Sequence, residues 1–159
     1  LKSLKLPNKR FELRGNIFNR VIVDDYAHHP SEIKATIDLG RLFIDKNDSK
    51  KRLVVIFQPH RFSRVNEFFK EFARELSKAD FIILTNIYSA GEINKKEINS
   101  QIIADEIYKE NKNIILLNDN YEIQKQFLNI TNKNDFIINM GAGNCHNLWQ
   151  LLNNKLSTN

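Results

Sequence analysis

Two short runs, RLVVIFQ (52–58) and DFIILTN (80–86), are apolar at nearly every position. A strand with one wet face alternates apolar and polar residues, so a continuous run has to be covered on both faces. Such strands belong to a sheet sandwiched between helices. The surrounding pattern agrees. Residues 11–14, 17–25, 113–118 and 135–140 also read as strands, the second of them ending in the β-branched RVIVDD. Helical periodicity fills the intervals at 31–45, 63–78, 97–110, 120–129 and 144–156. Ile33, Ile37, Leu39 and Phe43 are expected to face inward from the first helix, with Ser31 capping it after Pro30. Phe68, Phe69, Phe72 and Leu76 do the same in the second, with Ser63 as its cap; Ile98, Ile102, Ile103 and Ile107 do so in the third. The expected class is α/β, one domain over 1–159 with a mostly parallel sheet and right-handed crossovers. The segment before residue 20 breaks the alternation and adds an edge strand.

Composition narrows the partners. The chain has 159 residues, 42% of them hydrophobic, which suffices for one core. No apolar run reaches the ~20 residues that span a bilayer. The net charge of +5 suits a small polyanion as well as nucleic acid, but the lysines are scattered, as in Lys50-Lys51 and Lys95-Lys96. No basic block interleaved with aromatics appears, so neither nucleic acid nor membrane is the expected partner. Cys145 is the only cysteine, which excludes an internal disulfide and permits a reducing, cytoplasmic setting. The chain begins with Leu1, so a piece of a longer protein or a processed start is expected.

Polar residues collect immediately after four of the strands: DDYAHHP (24–30), QPHRFSR (58–64), NIYSAGE (86–92) and GAGN (141–144). In open parallel sheets ligands bind outside the carboxyl ends of the strands, where loops and helix N-termini converge. Asp25 at a strand end can accept the hydroxyls of a ribose, as acidic residues do in dinucleotide folds. His60, Arg61 and Arg64 form an anion cradle at a helix N-terminus, arginine offering a planar fork to carboxylate or phosphate. Each has a plainer alternative. Arg61 and Arg64 could pair with Glu67 and Glu71 at helical spacing; NIYSAGE could be an ordinary turn; DDYAHHP could serve capping or surface roles, or its Asp24, Asp25, His28 and His29, with His60 nearby, could hold a metal, though adjacent histidines seldom point together. GAGN is weaker than a G-x-G-x-x-G fingerprint, and no G-x-x-x-x-G-K-[ST] grips ATP anywhere in the chain. Cys145 reads as a half-buried helix residue, and His146 has no partner visible in sequence.

Together KRFELRG, VDDYAHHPSEIKATI, FQPHRFSR, IYSAGE and GAGN, in that order, resemble the C-terminal domain of the Mur ligase family, in its UDP-N-acetylmuramate–L-alanine branch, over residues 9–150. Mur ligases that recycle murein tripeptide are similar around the first motif but differ at the second. The resemblance implies a Rossmann-like, three-layer αβα sandwich with one antiparallel edge strand. It also implies two further domains outside this chain, one binding the UDP-sugar, the other carrying the P-loop and the Mg²⁺ ligands. The implied partners are ATP, UDP-N-acetylmuramate, L-alanine and the chain's own central domain. The implied activity is ATP-dependent amide-bond formation through an acyl phosphate in peptidoglycan synthesis, with the isolated domain inactive. By position, Arg10 is implied to reach the terminal phosphate of ATP and Asp25 to hold the ribose. Tyr26 and His28 are implied to lie near the ribose and the incoming amino acid, with Arg10 and His28 the implied catalytic pair. His60, Arg61 and Arg64 are implied by the same resemblance to hold the alanine carboxylate and the acyl end. The family often has RRF where this chain has Lys9-Arg10-Phe11, and Cys145-His146 is unusual after GAGN. Three readings stay beside this one: a free-standing nucleotide-binding or regulatory module, the C-terminal domain of the related murein tripeptide ligase, and a metal-dependent hydrolase.

Overall fold

Burial along the third strand decides the layering. In a computed structural model describing residues 10–48 and 50–157, Leu53, Val55 and Phe57 join one apolar cluster, whereas Val54 and Ile56 join another. Successive side chains of a strand point to opposite faces, so every position of this strand is buried and helices cover both sides.

The elements run β1 (Glu12–Ile17), β2 (Arg20–Asp25), α1 (Pro30–Asn47), β3 (Leu53–Phe57), α2 (Phe62–Leu76), β4 (Phe81–Leu84), α3 (Gln101–Glu110), β5 (Ile114–Leu116), α4 (Asn120–Ile130), β6 (Phe136–Met140), a 3₁₀ turn (Cys145–Asn147) and α5 (Leu148–Ser157). They form one sheet in the order β1-β2-β6-β3-β4-β5. All neighbours are parallel except β1, which pairs antiparallel with β2 at the edge. One face is covered by α1, α2 and α3 through residues such as Ile33, Phe72 and Ile107. The other is covered by α4 and α5 through Ile123, Phe127, Leu148 and Leu152. The expected αβα sandwich with an antiparallel edge strand is the observed fold. No helix among the described residues is long and apolar enough to cross a membrane.

Local chemistry moved several boundaries. The strand expected over 17–25 is broken at Phe18-Asn19, whose φ values of 46° and 62° make a two-residue hairpin turn between the paired Ile17 and Arg20. The Asn16 side chain accepts from the Asn19 N–H at 3.0 Å and closes it. Helix α1 is capped by His29, not Ser31: His29 Nδ1 accepts from the Ser31 N–H, and Glu32 accepts from the His29 N–H. Its inward stripe is Ile33, Ile37, Gly40 and Ile44, while Leu39 and Phe43 sit at its margin, 44% and 41% exposed. Ser63 lies inside α2 rather than capping it. The expected helix 97–110 starts only at Gln101, because the Asn94 side chain bonds both the N–H and the carbonyl of Ile98, and Glu97 takes a φ of 53°.

Phe72→Ala should destabilise the domain by about 3–5 kcal/mol, since Phe72 is fully buried against Phe57. Leu39→Ala should change stability by no more than about 0.5 kcal/mol. Urea unfolding of both variants checks the corrected face of α1.

Candidate functional site

The loop after β6 leads to α5 on one face, whereas the loops after β2 and β3, its two neighbours, lead to α1 and α2 on the other. Loops that diverge from adjacent parallel strands leave a crevice at their carboxyl ends. Four of the polar segments singled out in the sequence border it.

A row of rings crosses this rim. Tyr26 stacks near His146 (6.5 Å between centroids) and meets His28 edge-on (5.2 Å). His28 meets His60 at 5.9 Å, and His60 stacks on Tyr88 at 5.6 Å with 13° between planes. Loops following β2, β3, β4 and β6 therefore share one surface. The His28 Nδ1–H is donated to the Tyr26 carbonyl at 2.8 Å, which leaves Nε2 as the acceptor of the neutral ring.

The arginines do not make the helical ion pairs that their spacing allowed. The Arg64 guanidinium turns back to donate to His60 Nδ1 (3.1 Å) and to the His60 carbonyl (3.2 Å). Burial holds the His60 pKa below its ordinary value, helped by the charge of Arg64, then of His28 and Arg61. Arg61 sits at the N-terminus of α2 with a φ of 73°, a conformation that costs a non-glycine residue about 1–3 kcal/mol. Its backbone is held there by a 2.8 Å bond from its N–H to the Tyr88 carbonyl, and a bridge joins His60 to Tyr88. Its side chain is exposed with no hydrogen-bond partner among the described residues. Glu92 accepts from the Ser63 hydroxyl at 2.6 Å; that bond, with the nearby arginines, keeps its carboxyl below the usual range. Ser63 and Glu92 also line a cleft of about 450 Å³ beside the start of α2, with Asn66, Lys95 and Ile98.

Arg10 approaches from the β1 side. Its guanidinium pairs with Glu32 at 2.8 Å and is 51% exposed. Asp25 is placed differently from its neighbours: it is 3% exposed, its two oxygens accepting from the Phe11 N–H and the Ala27 N–H, each at 2.8 Å. It lies beneath the rim and fastens the residue following Arg10 to the start of the 26–29 loop.

The acid and imidazole pairs diverge. Asp24 is fully buried and bonded to Arg14 (2.7 Å) and Asn139 (3.0 Å), on the opposite side of β2 from Asp25. His29 caps α1 and lies against Phe68 at 5.0 Å. Among the described residues no three His, Cys, Asp or Glu side chains gather as a metal site.

Gln58 and Glu32 carry more than the sequence disclosed. Gln58 donates to Asn144 Oδ1 (2.7 Å) and accepts from the Cys145 N–H (3.1 Å), which stitches the end of β3 to GAGN. A Cβ on Gly143 would lie 2.6 Å from Gln58 Oε1 and from Tyr88 Cγ, so that glycine is required by close packing. Cys145 is buried rather than half-buried, and His146, 7% exposed, donates from Nε2 to the Gly141 carbonyl at 2.7 Å. The capping-box spacing of His29 and Glu32 was the available signal for Glu32; nothing in the spacing of Gln58 marks it.

A family model described as "Mur ligase, glutamate ligase domain" matches residues 9–143, most of the chain. The chain belongs to the Mur ligase family. Among curated relatives, the UDP-N-acetylmuramate–L-alanine ligase of Prochlorococcus marinus subsp. pastoris is 64% identical over 99% of this chain and 34% of its own length. That of Parasynechococcus marenigrum is 42% identical over 96% and 34%. The Mur ligase domain thus spans about a third of those relatives. Its fold is shared with the UDP-N-acetylmuramate-alanine ligase of Thermotoga maritima (TM-score 0.73, 24% identity, 94% of this chain and 30% of that one). It is shared equally with a murein peptide ligase of Psychrobacter arcticus (TM-score 0.74, 22% identity, 96% and 30%).

Because the folded pKa of His60 lies below the 6.5 of the free side chain, the unfolded chain binds more protons between the two values. The stability that His60 contributes is therefore complete above 6.5 and falls as pH drops from there toward the folded value. An NMR titration of the imidazole should find its midpoint below 6.5, and Arg64→Ala should move that midpoint upward. A midpoint unaltered in the variant contradicts the coupling.

Proposed function

We propose that this chain is the C-terminal domain of a UDP-N-acetylmuramate–L-alanine ligase, joining L-alanine to the muramic acid carboxylate at the expense of ATP. The observation that carries the reading is the pair Arg61 and Arg64 beside His60 at the crevice. One exposed guanidinium and one half-buried guanidinium, at the start of a helix, suit a small carboxylate. The relatives at 64% and 42% identity, both named for the alanine ligase, support the choice of amino acid.

In the complete enzyme the sugar carboxylate takes the terminal phosphoryl group of ATP, the bond to the β-phosphate breaks, and ADP leaves an acyl phosphate behind. The alanine amine, having lost its proton, then attacks the acyl carbon; a C–N bond forms and phosphate leaves. This chain's residues would position and stabilise rather than attack. Arg64 and Arg61 hold the alanine carboxylate, turning its amine toward the acyl carbon. His60 stays neutral, so the amine meets no imidazolium beside it. His28, with Nδ1–H committed to Tyr26, offers Nε2 to a proton on the amine. Tyr26 and His60 supply ring faces around the small side chain. Arg10 serves the terminal phosphate. A ribose hydroxyl reaching Asp25 would use lone pairs left over from the Phe11 and Ala27 amides. Mg²⁺ would be held by the central domain. The central domain is also the proposed partner that closes the crevice and excludes water from the acyl phosphate. An enzyme that draws on ATP in this way works in the cytoplasm.

In the full-length ligase, Arg64→Ala should raise the alanine KM roughly tenfold to a hundredfold, the worth of one charge-assisted contact at about 1.5–3 kcal/mol. The ATP KM should move far less. The 159-residue chain alone should show no ATP-dependent ligation. An unchanged alanine KM would remove Arg64 from the carboxylate site, and turnover by the isolated chain would overturn the division of labour.

A further inference from the structure

We propose that Glu32 is the positioning residue that aims Arg10, tying the guanidinium to the first turn of α1 in the place where it meets its anion. The proposal rests on the phosphate role given to Arg10 above.

Arg10 is secured at both ends by different means. The chain immediately after it is fixed by the bond from the Phe11 N–H to buried Asp25, by a φ of 45° at Phe11 and by the Phe11 ring against Phe136. The side chain, by contrast, is 51% exposed, and its one hydrogen bond among the described residues is to Glu32 Oε2. An arginine side chain has several freely rotating bonds, so without Glu32 its charge would sweep a wide arc. The tether occupies a single donor of the five on the guanidinium, and the rest of the fork stays available. Glu32 itself is poorly free to move. Its Oε1 accepts from the His29 N–H at 3.2 Å and lies 3.6 Å from His28 Nδ1, and the residue is 22% exposed. One carboxylate thus connects the β1 entrance, the histidine loop and the helix cap.

The contact could instead be a surface ion pair of negligible consequence, as most exposed pairs are, or Glu32 could matter only as a cap. Glu32→Gln separates these. An amide has one acceptor oxygen. Oriented to keep the fixed, half-buried His29 N–H, it turns its NH₂ toward Arg10, donor against donor. The cap survives and the tether is lost.

The test is a double-mutant cycle in the full-length enzyme, with ATP KM, kcat and melting temperature measured for Glu32→Gln, Arg10→Ala and the double variant. Expected for Glu32→Gln is a melting temperature within about 3 °C of the parent and an ATP KM raised about tenfold. Arg10→Ala should do at least as much, and the double variant should be no worse than Arg10→Ala alone. Wild-type ATP kinetics in Glu32→Gln, or effects of the two substitutions that multiply in full, would overturn the tether. Wild-type ATP kinetics in Arg10→Ala would instead overturn the role of Arg10, whatever Glu32 does.

Discussion

The rim of this domain depends on the placement of β6, the last strand in sequence, between β2 and β3. Ladders on both sides align Asp25 with Met140 and Met140 with Phe57, so three strands end level. Every side chain of β6 is buried, and α5, which follows it, crosses to the face opposite α1 and α2. That reversal opens the crevice. Polar bonds then lock the strand ends together. Asn139 of β6 donates to Asp24 of β2 and to the Cys145 carbonyl, and Gln58 after β3 holds the GAGN loop. Tyr26, His28, His60, Arg61 and Arg64 can lie on one surface because their supporting strands cannot slide past one another.

On that scaffold the arginines at the start of α2 are placed by neutral partners rather than by ion pairs. Arg64 bonds to a neutral imidazole and a carbonyl, so its positive charge is oriented without being cancelled. Arg61 retains a strained backbone, secured by the Tyr88 carbonyl, and keeps its guanidinium exposed. Carboxylates are used differently according to depth. Asp24 and Asp25 are buried and committed to frame-building bonds, whereas Glu32 and Glu92 sit at the rim, each accepting from one backbone N–H and one side chain: Glu32 from His29 and Arg10, Glu92 from Ser63.

The layering and most elements were legible because continuous apolar runs admit only a sheet covered on both faces. The rim could be located because chemistry-bearing residues followed strand after strand. What sequence could not supply was direction. Asp24 and Asp25 are adjacent letters, yet the pleat sends them to opposite faces. His28 and His29 look like a pair, but the helix cap claims one and leaves the other to the site. Leu39 and Phe43 fit a helical stripe that is in fact rotated toward Gly40 and Ile44, where the small residue admits Ile138 and Leu53. The turn at Phe18-Asn19 was hidden because its residues are unremarkable until the backbone demands positive φ. Gln58 acts through the Asn144 side chain and the Cys145 amide of a loop far along the chain, a relation with no signature in local spacing.

The central claim is that this rim is half of a binding site for a small amino acid, closed by a domain outside the chain. A crystal structure of the full-length enzyme with a non-hydrolysable ATP analogue, UDP-N-acetylmuramate and L-alanine tests it most directly. The account predicts the alanine carboxylate within hydrogen-bonding distance of the Arg61 and Arg64 guanidinium groups, with the His28 and His60 rings beside it. An alanine bound wholly by other domains, with these side chains facing solvent, would contradict it.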